Sequence, residues 1–360
     1  MGGGAISIAG VASTGTNDAI ALNKTNIFAT SGNISLDGGS QRVILGQNGA
    51  NYIGGSTSAA DHTGNLNICA GNVVFNSAYW AYLRTAGNLV IEPCSGSFTA
   101  AQSWLGTDVS MVAKSARFGR TGNSGNITVS TAMTLAGDLE VIGGAVTYNG
   151  TGVTTTSGGN VTVTATGAYA GAAPFTAAGK ISITATTFDG TGALSSAGAD
   201  GITVTTTAGD LDTGANMTAN TSALAPITLK STGNILLGNN LTSAGGPILL
   251  WADSDNANYG GILTAAASTI TSNGGAVTLS GGVDVTTGYA KATNLITSTN
   301  NTAYSGIRML GKIVSGAGKV VIRGQDNPTI GSTSHNSGIE IEKTAAITTT
   351  SGGVCERFTG

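Results

Sequence analysis

Short bursts in which apolar and polar residues alternate recur along the whole chain, separated by glycine-rich connections. In Ile181-Ser-Ile-Thr184 and Val161-Thr-Val-Thr-Ala-Thr166 the apolar side chains take every second position, the period of a strand with one buried face. Each burst opens on one small phrase: a glycine, a small or polar residue, then an apolar-polar-apolar triplet. Copies are Gly32-Asn-Ile-Ser-Leu36, Gly64-Asn-Leu-Asn-Ile68, Gly87-Asn-Leu-Val-Ile91, Gly125-Asn-Ile-Thr-Val129, Gly179-Lys-Ile-Ser-Ile183 and Gly233-Asn-Ile-Leu-Leu237. Helical spacing is scarce, and each interior glycine would oppose a helix by about 1 kcal/mol.

Aligned on this phrase, copies start at 137, 159, 179, 200, 225 and 246, with spacings of 22, 20, 21, 25 and 21 residues. Starts at 64 and 87, and at 318 and 337, add spacings of 23 and 19. Self-similarity at this period marks a solenoid. Weaker strand starts at Asn72, Gly144, Gly209 and Gly233 give two or three strands per repeat. The expected fold is all-β, a parallel β-helix with coils of about 20–25 residues, roughly 15 to 16 in number, stacked at the ~4.8 Å strand spacing. Val, Ile and Leu would stack inside. Asn33, Asn65, Asn88, Asn126, Asn160 and Asn234 are expected at equivalent turn entries, in a ladder that satisfies turn amides.

The whole of 1–360 reads as a single β-helix segment. Within it, 1–124 is expected to form less regular coils with longer loops, and 125–360 more regular ones. The phrase is already running at Gly4-Ala-Ile-Ser-Ile8 and still present at Gly352-Gly-Val354, so a fragment of a larger protein is expected.

Composition narrows the picture. Only 9% of residues are charged and 5% aromatic, while glycine numbers 57 and mean hydropathy is +0.18, a balance unlike that of disordered chains. A net charge of −3, with 15 scattered basic residues, gives no footprint for nucleic acid. No apolar run approaches the ~20 residues needed for membrane insertion, and Met1-Gly-Gly-Gly-Ala5 lacks the pattern of a signal peptide.

Several phrases resemble a known family. Gly87-Asn-Leu-Val-Ile-Glu-Pro93, Ser97-Phe98, Trp104, Phe118-Gly-Arg-Thr-Gly-Asn123 and Ile127-Thr-Val-Ser-Thr-Ala-Met-Thr-Leu-Ala-Gly137 resemble the repetitive stalks of giant secreted bacterial proteins of the filamentous-haemagglutinin type. So does Ile248-Leu-Leu-Trp-Ala-Asp-Ser-Asp-Asn256 with Gly260-Gly-Ile262. The resemblance spans about half the chain. It implies a right-handed parallel β-helix, secretion across an outer membrane, a secreted or cell-surface location, and adhesion to glycans or proteins of a host or neighbouring cell. No secretion domain or carboxy-terminal barrel is recognisable, so flanking regions of a longer chain are expected partners. Exposed strand edges at the ends of such a rod also predict end-to-end self-association.

Candidate chemistry is sparse. Asp253, Asp255 and Asn256 group oxygens of the kind Ca²⁺ takes, although such clusters are also ordinary turn chemistry. Trp251 and Tyr259 flank them and would offer ring faces to a sugar. Cys69 and Cys94 are 25 residues apart, about one coil, which suits a disulfide between adjacent rungs or two small core residues; Cys355 has no partner. The absence of a Cys-x-x-Cys pair removes support for structural zinc. Thr-rich strands such as Ile202-Thr-Val-Thr-Thr-Thr207 would need a constant coil length to present an ice-matching array, and the spacings vary. Threonine is in any case a good strand former.

Aspartates that could serve a polysaccharide lyase or hydrolase are Asp138, Asp189, Asp200, Asp210, Asp212, Asp253, Asp255 and Asp284. Only Asp138 and Asp210 share a repeat position by alignment, so no converging pair is expected. His62 and His335 are too far apart for a triad and read as loop residues. The expected function is a non-catalytic extracellular stalk or adhesin, and the alternative is a carbohydrate-binding or polysaccharide-degrading β-helix. Calcium is the one cofactor considered.

Overall fold

The computed structural model describes residues 3–12, 18–55, 62–220, 224–257, 260–291, 305–326 and 337–350, and the backbone of 355–358. Among them every element is a strand, and the strands pair in parallel. The fold is a parallel β-helix with three strands to a coil. The chain divides into two compact units, 1–178 and 179–360.

In the first unit, seven coils each send one strand to a first face: Ile6–Ala9, Ile34–Asp37, Leu66–Cys69, Asn88–Glu92, Ser115–Phe118, Leu139–Gly143 and Val161–Ala165. Alternation then does its work. Ile34, Leu66, Leu89, Ala116, Leu139 and Val161 stand in register and are all buried, whereas their strand neighbours point outward. The steps along Ile6, Ile34, Leu66, Leu89, Ala116, Leu139 and Val161 are 28, 32, 23, 27, 23 and 22 residues.

The second unit repeats the plan with six coils. Ile181, Ile202, Ile227, Ile248, Val277 and Val320 form its buried row, at steps of 21, 25, 21, 29 and 43. Cys355–Phe358 adds one further strand to this face, 35 residues after Val320. The described residues thus make thirteen three-stranded coils rather than 15 to 16, because the longer steps absorb residues in loops without adding rungs.

The other two faces of the first unit each break once. On the second face, Asp18–Ala21, Arg42–Leu45 and Asn72–Phe75 form one sheet, and Gln102–Trp104, Ile127–Val129, Val146–Tyr148 and Tyr169–Gly171 follow in another. Two buried side chains bridge the seam. The Gln102 Oε1 accepts from the Val73 N–H at 2.9 Å, and the Trp104 Nε1 donates to the Val73 carbonyl at 3.2 Å. Backbone groups that lose a ladder partner are costly when buried, so this substitution of side chain for backbone keeps the wall closed. Trp104 is fully buried against Phe75, Phe98 and Phe118 in edge-to-face contacts. On the third face the break falls between Val109–Val112 and Met133–Leu135, and the Thr131 hydroxyl donates to the Val109 carbonyl at 2.8 Å.

The asparagine ladder is real at one corner and divided elsewhere. Entering the first face, the Asn33 Oδ1 accepts from the Asn65 N–H and the Asn65 Oδ1 from the Asn88 N–H, each at 3.0 Å. Asn160 continues that corner, bonded from N–H and Nδ2 to the Asp138 Oδ1. Asn126 and Asn234, however, precede Ile127 and Ile235 and enter the second face, where they cap Ala145 and Gly261. Asp138 and Asp210 likewise sit at different corners, Asp210 capping Asn234. One phrase therefore opens strands on two faces, and the expected equivalence of these positions does not hold. The starts at 318 and 337 also belong to different faces, because Val320 lies on the first and Ile339 on the second.

A buried hydroxyl also closes the corner that enters the first face. Thr155, Ser243, Ser272 and Ser315 each donate to the carbonyl of Gly159, Gly246, Gly275 and Gly318, three or four residues ahead. Those glycines lie directly over the preceding coil. A Cβ on Gly159 would stand 2.7 Å from the Gly137 carbonyl carbon and closer still to its oxygen, and one on Gly64 would stand 2.6 Å from the Gly32 oxygen.

Candidate functional site

The turn after Ile248–Ala252 brings two of its predicted oxygens onto one cation, which is Lys291. Asp253 is fully buried, at φ 48°, and its carboxylate lies 3.5 Å from the Lys291 Nζ. Asn256, at φ 53°, accepts from the same ammonium through its Oδ1. Asp255 turns away: its carboxylate accepts from the Ala257 N–H at 3.1 Å, a local Asx turn. A buried carboxylate is costly unless paired and hydrogen-bonded, and the lysine arrives from 38 residues further along the chain than Asp253.

Trp251 faces outward from its strand, but one face of its ring is taken. The Lys230 Nζ sits 4.1 Å from the ring centroid, and the indole N–H donates to the Gly282 carbonyl at 2.6 Å. Lys230 and Lys291 are thus engaged by the strand and turn that carry the candidate residues. Tyr259 lies outside the described residues, as does His335. His62 lies between strands, as expected of a loop residue, but not in solvent. It is fully buried, its Nδ1 donating to the Ala29 carbonyl at 3.0 Å, with the Asn65 carbonyl 3.4 Å from Nε2.

Cys69 ends a first-face strand at an outward position, and Cys94 follows the strand stacked on it. The structure joins them in a disulfide with Cα atoms 4.9 Å apart. Asp37 stands in register with Cys69 on the coil before.

Two outer features carry chemistry that alignment of the phrase does not expose. On the second face of the second unit, Asp189 and Asp212 are direct register partners, so their carboxylates project side by side at the strand spacing of ~4.8 Å. Burial, followed by the charges of Asp189 and Asp210, pushes the Asp212 carboxyl up from its ordinary value. The next residues in this outward row are Leu236 and Leu263, which with Leu310 and Asp212 line a groove of about 310 Å³. The signal was present in Phe188-Asp-Gly190 and Leu211-Asp-Thr213, which match residue for residue in pattern.

On the third face of the first unit, Tyr52 and Tyr82 stack in register, ring centroids 4.8 Å apart and 4° from parallel. Trp80 lies against Tyr82 at 6.0 Å and 20°, and the Arg84 guanidinium is 5.5 Å from the Tyr82 centroid. Matching Asn51-Tyr-Ile53 with Ala81-Tyr-Leu83 would have found the tyrosines. Trp80, in the turn before its strand, had no such partner to reveal it.

No known family model matches this chain, no curated protein matches it in sequence, and no solved structure matches it.

Proposed function

We propose that this chain is a non-catalytic scaffold of the cell exterior, which projects and presents an adhesive surface for attachment to other cells or to matrix. The supporting observation is the outward register: side chains from coils 21 to 43 residues apart on the first face of the second unit are brought into continuous surface rows. In such a solenoid, nearest-neighbour stacking supplies the stability and leaves the outer rows free to vary. The resemblance of several phrases to haemagglutinin-type stalks supports the same reading, and a secreted location and glycan or protein partners are what that likeness implies. Beads coated with the chain, tested on a panel of cell types and matrix proteins, should attach above albumin-coated beads. Equal attachment throughout would overturn the proposal.

One observation favours a second reading, action on a polysaccharide. Asp189 and Asp212 form a carboxylate pair in which one member is pushed toward the protonated state, as a general acid requires. Release of reducing sugar from acidic and neutral polysaccharides, lost in Asp212→Asn, would support it. No release on a broad panel would remove it.

A further inference from the structure

We infer that the outer third face of the first unit binds an acidic saccharide, with Trp80 as the stacking platform and Arg84 as the partner of the sugar's carboxylate or sulfate. The inference rests on the presentation reading and names its ligand class.

The aromatic stack is unusual for its exposure. A solvent-facing row in this protein is mostly Thr, Ser and Asn, yet Tyr52, Tyr82 and Trp80 gather here and Trp80 remains 42% exposed. Beside Trp80 lies a groove of about 350 Å³, within the range of small-molecule sites. Its other walls are small and hydroxylated, including Gly106, Ser110, Ser130, Gly150 and Thr151. A pyranose ring has an apolar C–H face that lies flat on an indole and a rim of hydroxyls that needs donors and acceptors. This groove offers one of the first and several of the second.

Charge selects the acidic class. The Arg84 Nη2 donates to Ser110 Oγ, a groove-wall atom, at 3.3 Å. Its Nε is buried without a hydrogen-bond partner. Arg42, Arg117 and Arg308 each meet a carboxylate, whereas no ion pair among the described residues involves Arg84. A guanidinium presents five N–H donors in a fork that fits a carboxylate or sulfate. Asp108, near the groove, has its carboxylate buried and bonded by the Thr107 hydroxyl. A neutral sugar would leave the guanidinium unused.

Calorimetric titration of the full chain would use a galacturonate trisaccharide, a heparin-derived tetrasaccharide and a neutral galactose trisaccharide. At least one acidic probe should bind more tightly than the neutral one, and the two acidic probes separate carboxylate from sulfate recognition. Trp80→Ala and Arg84→Gln should each weaken that binding about tenfold or more, a change of about 1.4 kcal/mol. Arg84→Lys should retain part of it, and Trp251→Ala should leave it unchanged. Trp80→Phe replaces the alanine variant if its far-UV spectrum shows loss of fold. The inference is overturned if neither acidic probe binds, if the neutral probe binds equally well, if binding survives both substitutions, or if only protein ligands are found. Bead attachment without saccharide binding overturns this inference alone, and saccharide binding without attachment overturns the presentation reading alone.

Discussion

Consider alanine in place of Gly159. Its Cβ would stand 2.7 Å from the Gly137 carbonyl carbon, with the oxygen nearer, and 3.0 Å from the Thr155 Cβ. Carbon atoms rest at about 3.5–4.0 Å, so the coils must part by roughly 1 Å at this corner. The obstacle is backbone on the coil beneath, and no side-chain rotation can relieve it. Parting the coils stretches the bond from the Leu139 N–H to the Asn160 carbonyl, now 2.8 Å, and disturbs the Thr155 hydroxyl on the Gly159 carbonyl. Overpacking costs about 1–3 kcal/mol, and each weakened hydrogen bond adds about 1 kcal/mol. The expected loss is therefore about 3–5 kcal/mol. Gly158 next door is the control: it has φ +80°, and a Cβ there would meet nothing within 4 Å. Asparagine tolerates that backbone region, so Gly158→Asn should cost less than about 1 kcal/mol. Urea unfolding followed by far-UV circular dichroism gives both shifts as changes in midpoint at constant slope. Equal midpoints for the two variants, or a Gly159→Ala midpoint matching the parent, would refute the close approach.

Other perturbations follow from the same contacts. Ser272→Ala removes the buried hydroxyl 2.6 Å from the Gly275 carbonyl and should cost about 1–3 kcal/mol in the same urea assay, with no shift counting against the corner bond. Gln102→Leu should cost about as much, because it strips the Val73 N–H of its acceptor at the seam. Cys94→Ser opens a 25-residue loop and should lower stability by about 3 kcal/mol; reductant should bring the parent to the variant's midpoint, and a parent indifferent to reductant would contradict the pairing. For Asp212 the raised carboxyl pKa means that folding is opposed above that pKa and that the opposition fades as pH falls through it toward the ordinary aspartate range. Asp212→Asn should therefore stabilise the protein at pH 7 by about 0.5 kcal/mol, by relieving first the burial of the charge and then its repulsion from Asp189 and Asp210. The gain should vanish near pH 3, about a unit below the ordinary aspartate pKa; a gain constant with pH would exclude ionisation as its cause.

The strands were legible in the chain because a coil has to fill the same internal space at every rung. Ile181, Ile202 and Ile227 repeat for that reason, and period two exposes them. The corners were less legible. Gly125-Asn126 and Gly87-Asn88 look alike yet enter different faces, since a glycine and a capping amide solve the same local problem at either turn. Long-range pairing was least visible. Nothing near Asp253 announces Lys291, and nothing near Val73 announces Gln102 and Trp104, because their partnership is set by coil length and not by local pattern. The Asp189 and Asp212 pair could have been found by aligning second-face strands with one another instead of with the dominant phrase.

The glycine corner also has a direction. A Cβ on Gly32 would strike Gly4, one on Gly64 would strike Gly32, and one on Gly87 would strike Gly64. Each of these coils thus dictates a residue of its successor and leaves its predecessor free, whereas Lys114, Asp200 and Ala225 fill the same position in later coils. In evolutionary terms a duplicated coil can be inserted wherever it brings its own leading glycine. Inheritance along this stack runs one way, from each rung to the next.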